Sequence, residues 1–182
     1  IRDRGKKVII ISCQKFFLMC FPDFNYRHSG LSRMESLMFA SCRRRNPYVA
    51  VDAVIFDETF RKIVLIRRKN EPFKDYFALP GGFVEIGETT ETACKREVKE
   101  EVGIDVDIID LIGVFSDPNR DPRGHVISIA YICKALSINL HSGSDAKMAV
   151  WIDLDKIKEQ KIKLAFDHET IIKKALMKLK II

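Results

Sequence analysis

The stretch GFVEIGETTETACKREVKEEVGI, residues 82–104, decides how this chain is read. It sets Glu88, Arg96, Glu97, Glu100 and Glu101 between two glycines, Gly82 and Gly103. The run Gly87-Glu88-Thr89-Thr90 offers a turn followed by a threonine N-cap, and Glu91 then stands in the first turn, where a carboxylate suits the helix dipole. Gly103 suits the left-handed residue that closes a helix. At about 100° per residue, Cys94, Val98 and Val102 form a narrow apolar stripe on this predicted helix. Glu97, Glu100 and Glu101 flank the stripe on one side; Thr92, Lys95 and Lys99 lie on the other. Like charges one turn apart cost a few tenths of a kcal/mol per pair, roughly, so folding alone gives no reason to stack three glutamates. A solvated charged face is the ordinary account of such a run, but it does not explain the segregation from the lysines. A divalent cation does.

The residues just ahead support that reading. Leu79-Pro80-Gly81-Gly82 is a rigid, then permissive, loop that lets backbone approach a ligand closely. It lacks the Lys and Ser/Thr of a phosphate-cradling loop, so phosphate here would be bound through metal. The whole segment matches the Nudix signature, G-x5-E-x7-R-E-U-x-E-E-x-G-U with U a bulky aliphatic. Gly82, Glu88, Arg96, Glu97, Val98, Glu100, Glu101, Gly103 and Ile104 fill its specified positions. The chain thus resembles the Nudix hydrolases. The resemblance implies Mg²⁺-dependent cleavage of a pyrophosphate bond in a nucleoside diphosphate derivative, with Mn²⁺ as a possible substitute. It implies metal ligands at Glu97 and Glu101, often with Glu100 and the Gly81 carbonyl. Arg96, Glu88, Gly82 and Gly103 would be supporting residues. The general base varies in position within the family. Glu100 in the motif and Asp145 in a later loop both stand as candidates, and Glu101 belongs with them in the catalytic set.

Outward from the motif, apolar periodicity predicts strands over 48–56 and 62–68, joined by a turn at 57–59. Residues 77–84 carry the chain into the motif. Further strands are expected near 106–115, 126–135 and 150–152, and a helix over 167–179 with Asp167 as N-cap. Mixed strands with one early and one late helix predict an α/β sandwich. The resemblance sharpens this to a Nudix-type α/β/α sandwich with a mixed sheet over about residues 47–180.

Substrate choice is expected in residues 116–125, SDPNRDPRGH, where two prolines and a glycine mark a loop. Arg120 and Arg123 are candidates for binding phosphate or stacking on a base or ribose, and Asp117 and Asp121 for accepting sugar hydroxyls. A surface turn with internal ion pairs is the bland alternative. The loop is similar to that of ADP-ribose pyrophosphatases of the prokaryotic, especially archaeal, type, which carry a proline about fifteen residues past the motif. Pro118 stands 14 past Ile104. That implies ADP-ribose and water giving AMP and ribose 5-phosphate. Nucleoside triphosphates or dinucleotides are the alternative substrates, and a non-catalytic ADP-ribose sensor is the alternative of another class. The same resemblance implies a homodimer, with Tyr48 or Phe77 as candidate adenine stackers, although core packing is the preferred reading for both. His168 is expected to help cap the last helix and His125 to make a loop hydrogen bond.

Composition bounds the rest. The chain has 182 residues, 47% of them hydrophobic, and carries a net charge of +6. The first 46 residues hold 10 Lys+Arg and 3 Asp+Glu, so the surplus lies there and the remainder is close to neutral. No basic face is therefore predicted on the catalytic part, which argues against nucleic acid as a partner. Val8–Phe21 is apolar but too short for a membrane span and interrupted by Gln14 and Lys15. The chain opens on Ile, so Met34 or Met38 is a candidate natural start, with 1–46 an extension that is poorly ordered or non-native and 47–182 the functional domain. Five cysteines without a C-x-x-C pair predict reduced thiols in the cytoplasm, with Cys94 and Cys133 in the core.

Overall fold

The computed structural model describes residues 46–140, 148–159 and 161–181. Seven strands form one sheet: β1 (Tyr48–Phe56), β2 (Lys62–Arg67), β3 (Phe77–Ala78), β4 (Gly81–Phe83), β5 (Val106–Phe115), β6 (Val126–Ala135) and β7 (Ala149–Asp153). Three helices accompany them: α1 (Thr90–Val102), α2 (Leu154–Lys158) and α3 (His168–Lys178). The strand path runs β3-β2-β1-β6-β5, with β4 added to β1 and β7 to β2. The sheet is mixed. β1 and β6 run parallel from Tyr48 opposite Val126 to Phe56 opposite Lys134, whereas β5–β6, β2–β7 and β1–β4 are antiparallel.

The period of two along β1 divides the core. Val51, Ala53 and Ile55 face one side, where Cys94, Val98 and Val102 of α1 cover them. Val54 and Phe56 face the other, packed with Ile171, Ile172, Ala175 and Leu176 of α3 and Leu154 and Ile157 of α2. The result is the expected α/β/α sandwich. The strands over 48–56, 106–115 and 126–135 fall where the sequence places them. The region 77–84 splits into two short strands, because Pro80 has no N–H to give a ladder. The short helix α2 is an addition to the sequence reading.

Both helix ends of α1 are built as expected. Thr89 is the N-cap and its side chain accepts from Thr92 N–H; Gly103 closes the helix at φ 78° with its N–H on the Lys99 carbonyl. Asp167 occupies the N-cap position of α3, but its side chain makes no cap bond. Cys94 and Cys133 are buried as expected, their Sγ atoms 3.9 Å apart. Tyr48 corrects the core expectation: it is 65% exposed and packs against Phe83 with ring centroids 5.6 Å apart. Phe77 is half-buried against the α3-side core. Among the described residues no helix is long and apolar enough to cross a membrane.

Candidate functional site

A cavity of about 240 Å³ opens where the C-terminal half of α1, the 79–82 segment and the 116–125 loop meet. Its acidic end is built by α1 and β4. Gly81 donates its N–H to Glu101 Oε2 at 2.9 Å. Gly82 has no side chain for a physical reason: a Cβ there would overlap the Glu97 carboxylate, and one at Gly81 would overlap the Val51 carbonyl. Two carboxylates are thereby pressed against backbone.

Arg96 organises the other glutamates. It donates to Glu88 Oε1 at 2.6 Å, to Glu97 Oε1 at 2.8 Å and to the Phe83 carbonyl at 3.0 Å, and it approaches Glu100 Oε2 at 3.5 Å. Glu88 also accepts from Glu85 N–H at 2.7 Å, which tightens the turn before α1. Arg96 thus joins Glu88, Glu97 and the Phe83 carbonyl in one hydrogen-bonded group. Of Glu97, Glu100 and Glu101, Glu101 alone lines the cavity; Glu97 lies behind Gly82 with its side chain 14% exposed, and Glu100 is 60% exposed.

The electrostatics of this end favour a cation. Burial pushes Glu101 up to about 7, aided by the nearby charges of Glu97 and Asp52 and opposed by the Gly81 N–H. Burial also raises Glu97, although Arg96 pulls the other way. Both carboxylates are desolvated, and the charge of Glu97 adds to the rise at Glu101, so the protein neutralises them incompletely. The donors are all oxygen, as a hard divalent cation requires. No three His, Cys, Asp or Glu side chains among the described residues make a complete metal cage. Glu97 and Glu101 thus offer part of an oxygen donor set, which a hard divalent cation would complete with water or phosphate oxygens.

The far end corrects one expectation and refines another. Arg120 lines the cavity, but its side chain is only 5% exposed and is already engaged. Its Nε donates to Asp167 Oδ2 at 3.0 Å, and its Nη2 reaches Asp167 Oδ1 at 2.6 Å and Asp52 Oδ2 at 3.4 Å. Burial alone would lower its pKa; Asp167 and Asp52 outweigh that and raise it. Arg120 is thus an internal clamp, as in the bland reading of the loop. Arg123 is half-exposed, lies 5.5 Å from the Phe166 ring centroid and pairs with Asp121 at 2.7 Å. Burial pushes Asp121 up, but the Arg123 bonds hold it below the usual carboxylate range. Asp117 does not line the cavity; its carboxylate accepts from Asn119 N–H within the turn. Asp145 lies outside the described residues.

The cavity residues that sequence did not single out for the site include Asp52, Arg68, Phe166 and His168. Asp52 had a visible mark, a carboxylate inside the apolar run VAVDAVIF. It is 8% exposed and takes a hydrogen bond from Ser128 Oγ. Arg68 stands 4.9 Å from the Phe166 centroid and donates Nε to the Pro72 carbonyl. His168 does not cap α3; it is buried, and its Nδ1 accepts from Leu79 N–H at 2.8 Å. His125 serves through its backbone, its carbonyl accepting from Tyr48 N–H.

The NUDIX domain model matches residues 46–175. The chain belongs to the Nudix family. An ADP-ribose pyrophosphatase of Methanocaldococcus jannaschii is 56% identical over 128 residues, 70% of this chain and 72% of that protein. Among solved Nudix structures, the NUDIX domain of Shewanella oneidensis NrtR, complexed with ADP ribose, superposes with a TM-score of 0.67 at 25% identity, covering 82% of this chain and 99% of that one. A bifunctional NMN adenylyltransferase/ADP ribose pyrophosphatase from Francisella tularensis, complexed with AMP and a Mn ion, gives 0.65 at 29% identity, covering 80% of this chain and 45% of that one.

Proposed function

We propose that this Nudix enzyme hydrolyses ADP-ribose to AMP and ribose 5-phosphate with Mg²⁺ as the ordinary cation. The observation that carries the reaction class is Glu101, desolvated against Gly81 at one end of a cavity whose other end presents Arg68 and Arg123, with Glu97 set behind it against the lining residue Gly82. A diphosphate with its cation matches that division of charge. The identity with the Methanocaldococcus jannaschii enzyme supports the choice of ADP-ribose.

Glu97 and Glu101 would hold the cation. When bound, it supplies charge neutralisation on the diphosphate and activation of water. Arg96 aims Glu97 and opposes the effect of its burial, and Gly81 N–H fixes the orientation of Glu101. Arg123 and Arg68, carried on the Phe166 ring, face the anionic substrate. Phosphoryl transfer draws most of its rate from such positioning and charge stabilisation. Glu100, an exposed residue of the motif, and Asp145 both stand as candidates for the general base.

The cavity is smaller than the roughly 300–1,000 Å³ of small-molecule sites, so it accommodates part of the substrate. A homodimer that completes it is our reading of the assembly, supported by the exposed, mutually packed rings of Tyr48 and Phe83 of β1 and β4, with exposed Ile86 three residues past Phe83. The free thiols of Cys94 and Cys133, close but unbonded, support a cytoplasmic location.

A panel of ADP-ribose, nucleoside triphosphates and dinucleotides, assayed with Mg²⁺, tests the function. AMP release from ADP-ribose well above the rest is expected. Preference for triphosphates would overturn the substrate, and tight ADP-ribose binding without turnover would make the protein a sensor.

A further inference from the structure

The 79–82 segment carries both glycines against which the motif glutamates are set; its second half is held by the β4–β1 ladder, with Gly81 opposite Asp52 and Gly82 opposite Val51, while Leu79 and Pro80 lie ahead of that ladder. Pro80 has no N–H, and its carbonyl accepts from Ala53 N–H at 2.9 Å. Gly81 N–H is occupied by Glu101. The donor ahead of them, Leu79 N–H, is buried and ends on His168 Nδ1 at 2.8 Å, 89 residues along the chain. Without that acceptor it would be an orphaned buried N–H, which native structures avoid.

His168 is itself fixed. With Nδ1 accepting, the ring proton belongs on Nε2, which faces Asp52 Oδ1 at 3.6 Å. Asp52 is held by Ser128 Oγ and by Arg120, and Arg120 is closed bidentately on Asp167, the residue before His168. The run from Ala165 is tied to the same edge, Ala165 N–H donating to the Phe77 carbonyl at 2.8 Å. A closed circuit thus joins β1, the 116–125 loop and the start of α3 to the 79–82 segment.

We propose that His168 is a positioning residue for the acidic end of the cavity: through Leu79 N–H it sets the segment from which Gly81 orients Glu101. The proposal rests on the reading of Glu97 and Glu101 as cation ligands. Groups that orient metal ligands at one remove are worth about 10–100-fold in metal affinity or activity.

The test uses the full chain and three substitutions. His168→Asn puts an amide oxygen near the place of Nδ1, His168→Gln puts it farther out, and His168→Phe removes the acceptor. Hydrogen exchange of the Leu79 and Gly81 amides in metal-free protein reads the segment directly, and Mn²⁺ titration without substrate reads the site. For His168→Phe we expect faster exchange at both amides, an Mn²⁺ dissociation constant raised about tenfold, and a kcat lowered about tenfold at near-constant KM. His168→Asn should recover most of each loss and His168→Gln should not. A folded His168→Phe protein with Gly81 exchange and Mn²⁺ affinity within about twofold of the parent would overturn the proposal, as would recovery by Gln equal to that by Asn. If His168→Phe does not fold, the Asn and Gln pair decides. A parent that binds Mn²⁺ but leaves ADP-ribose intact would refute the substrate and not this proposal; a parent without Mn²⁺ affinity would overturn the metal reading and this proposal with it.

Discussion

Two arginines organise the two ends of the cavity, and they do so in opposite ways. Arg96 keeps about a quarter of its side chain in solvent while gathering Glu88, Glu97 and the edge of Glu100. Arg120 is 5% exposed and closed on Asp167 and Asp52. The first orients carboxylates that still have charge to offer a cation. The second consumes the charge of its partners, so an anion could reach it only by dismantling the circuit that holds His168. The other cationic groups lining the cavity are Arg123 of the same loop and Arg68, just past β2, and these are the ones proposed to face the substrate.

The comparison can be broken most sharply by removing each arginine. Arg120→Ala leaves Asp52 buried without its counter-charge and should cost about 3–5 kcal/mol of stability in urea unfolding. Arg96→Ala should cost clearly less, because its partners stay nearer water, and should instead lower turnover about tenfold. Equal stability losses would erase the distinction between clamp and organiser.

A second effect separates the ends by pH. Glu101 sits at about 7 in the folded chain against 4.5 for an ordinary glutamate, so folding favours its protonated form. That contribution is fully present below about pH 4.5 and is lost as pH rises through about 7, a loss of roughly 3 kcal/mol. Urea unfolding of metal-free protein at both ends of this window should show the loss in the parent and not in Glu101→Gln. Identical pH profiles would mean that Glu101 is not desolvated as the cavity implies.

Turnover ranks next. Glu97→Gln and Glu101→Gln should each cut kcat by ~10²-fold or more, since each removes charge that holds the cation at the transition state. Near-normal rates at saturating Mg²⁺ would refute that role. Gly82→Ala is the smallest change, one methyl group directed into the Glu97 carboxylate. It should lower kcat about tenfold by displacing that group, with KM for substrate little changed.

The acidic end was legible in the sequence because its determinants are local. Helix spacing places Glu97 and Glu101 beside the apolar stripe of Cys94, Val98 and Val102, and the caps at Thr89 and Gly103 fix the register. The long strands were legible for the same reason. The other end depends on pairings across 47 to 116 residues, such as Arg120 with Asp167 and Asp52 with His168, which no local period encodes. An arginine in a polar loop therefore reads as a ligand for substrate when it is a brace. Asp52 was the one exception, a carboxylate in an apolar strand that demanded a buried partner.

On the proposed reading, Glu97 and Glu101 would hold the divalent cation that this chain needs to hydrolyse the diphosphate of ADP-ribose. AMP released from ADP-ribose by the parent and by Glu101→Gln, each with Mg²⁺ and again with excess chelator, tests it most directly. We predict rapid release only in the parent with Mg²⁺. Release that persists in chelator, or in Glu101→Gln at the parent's rate, would contradict the account.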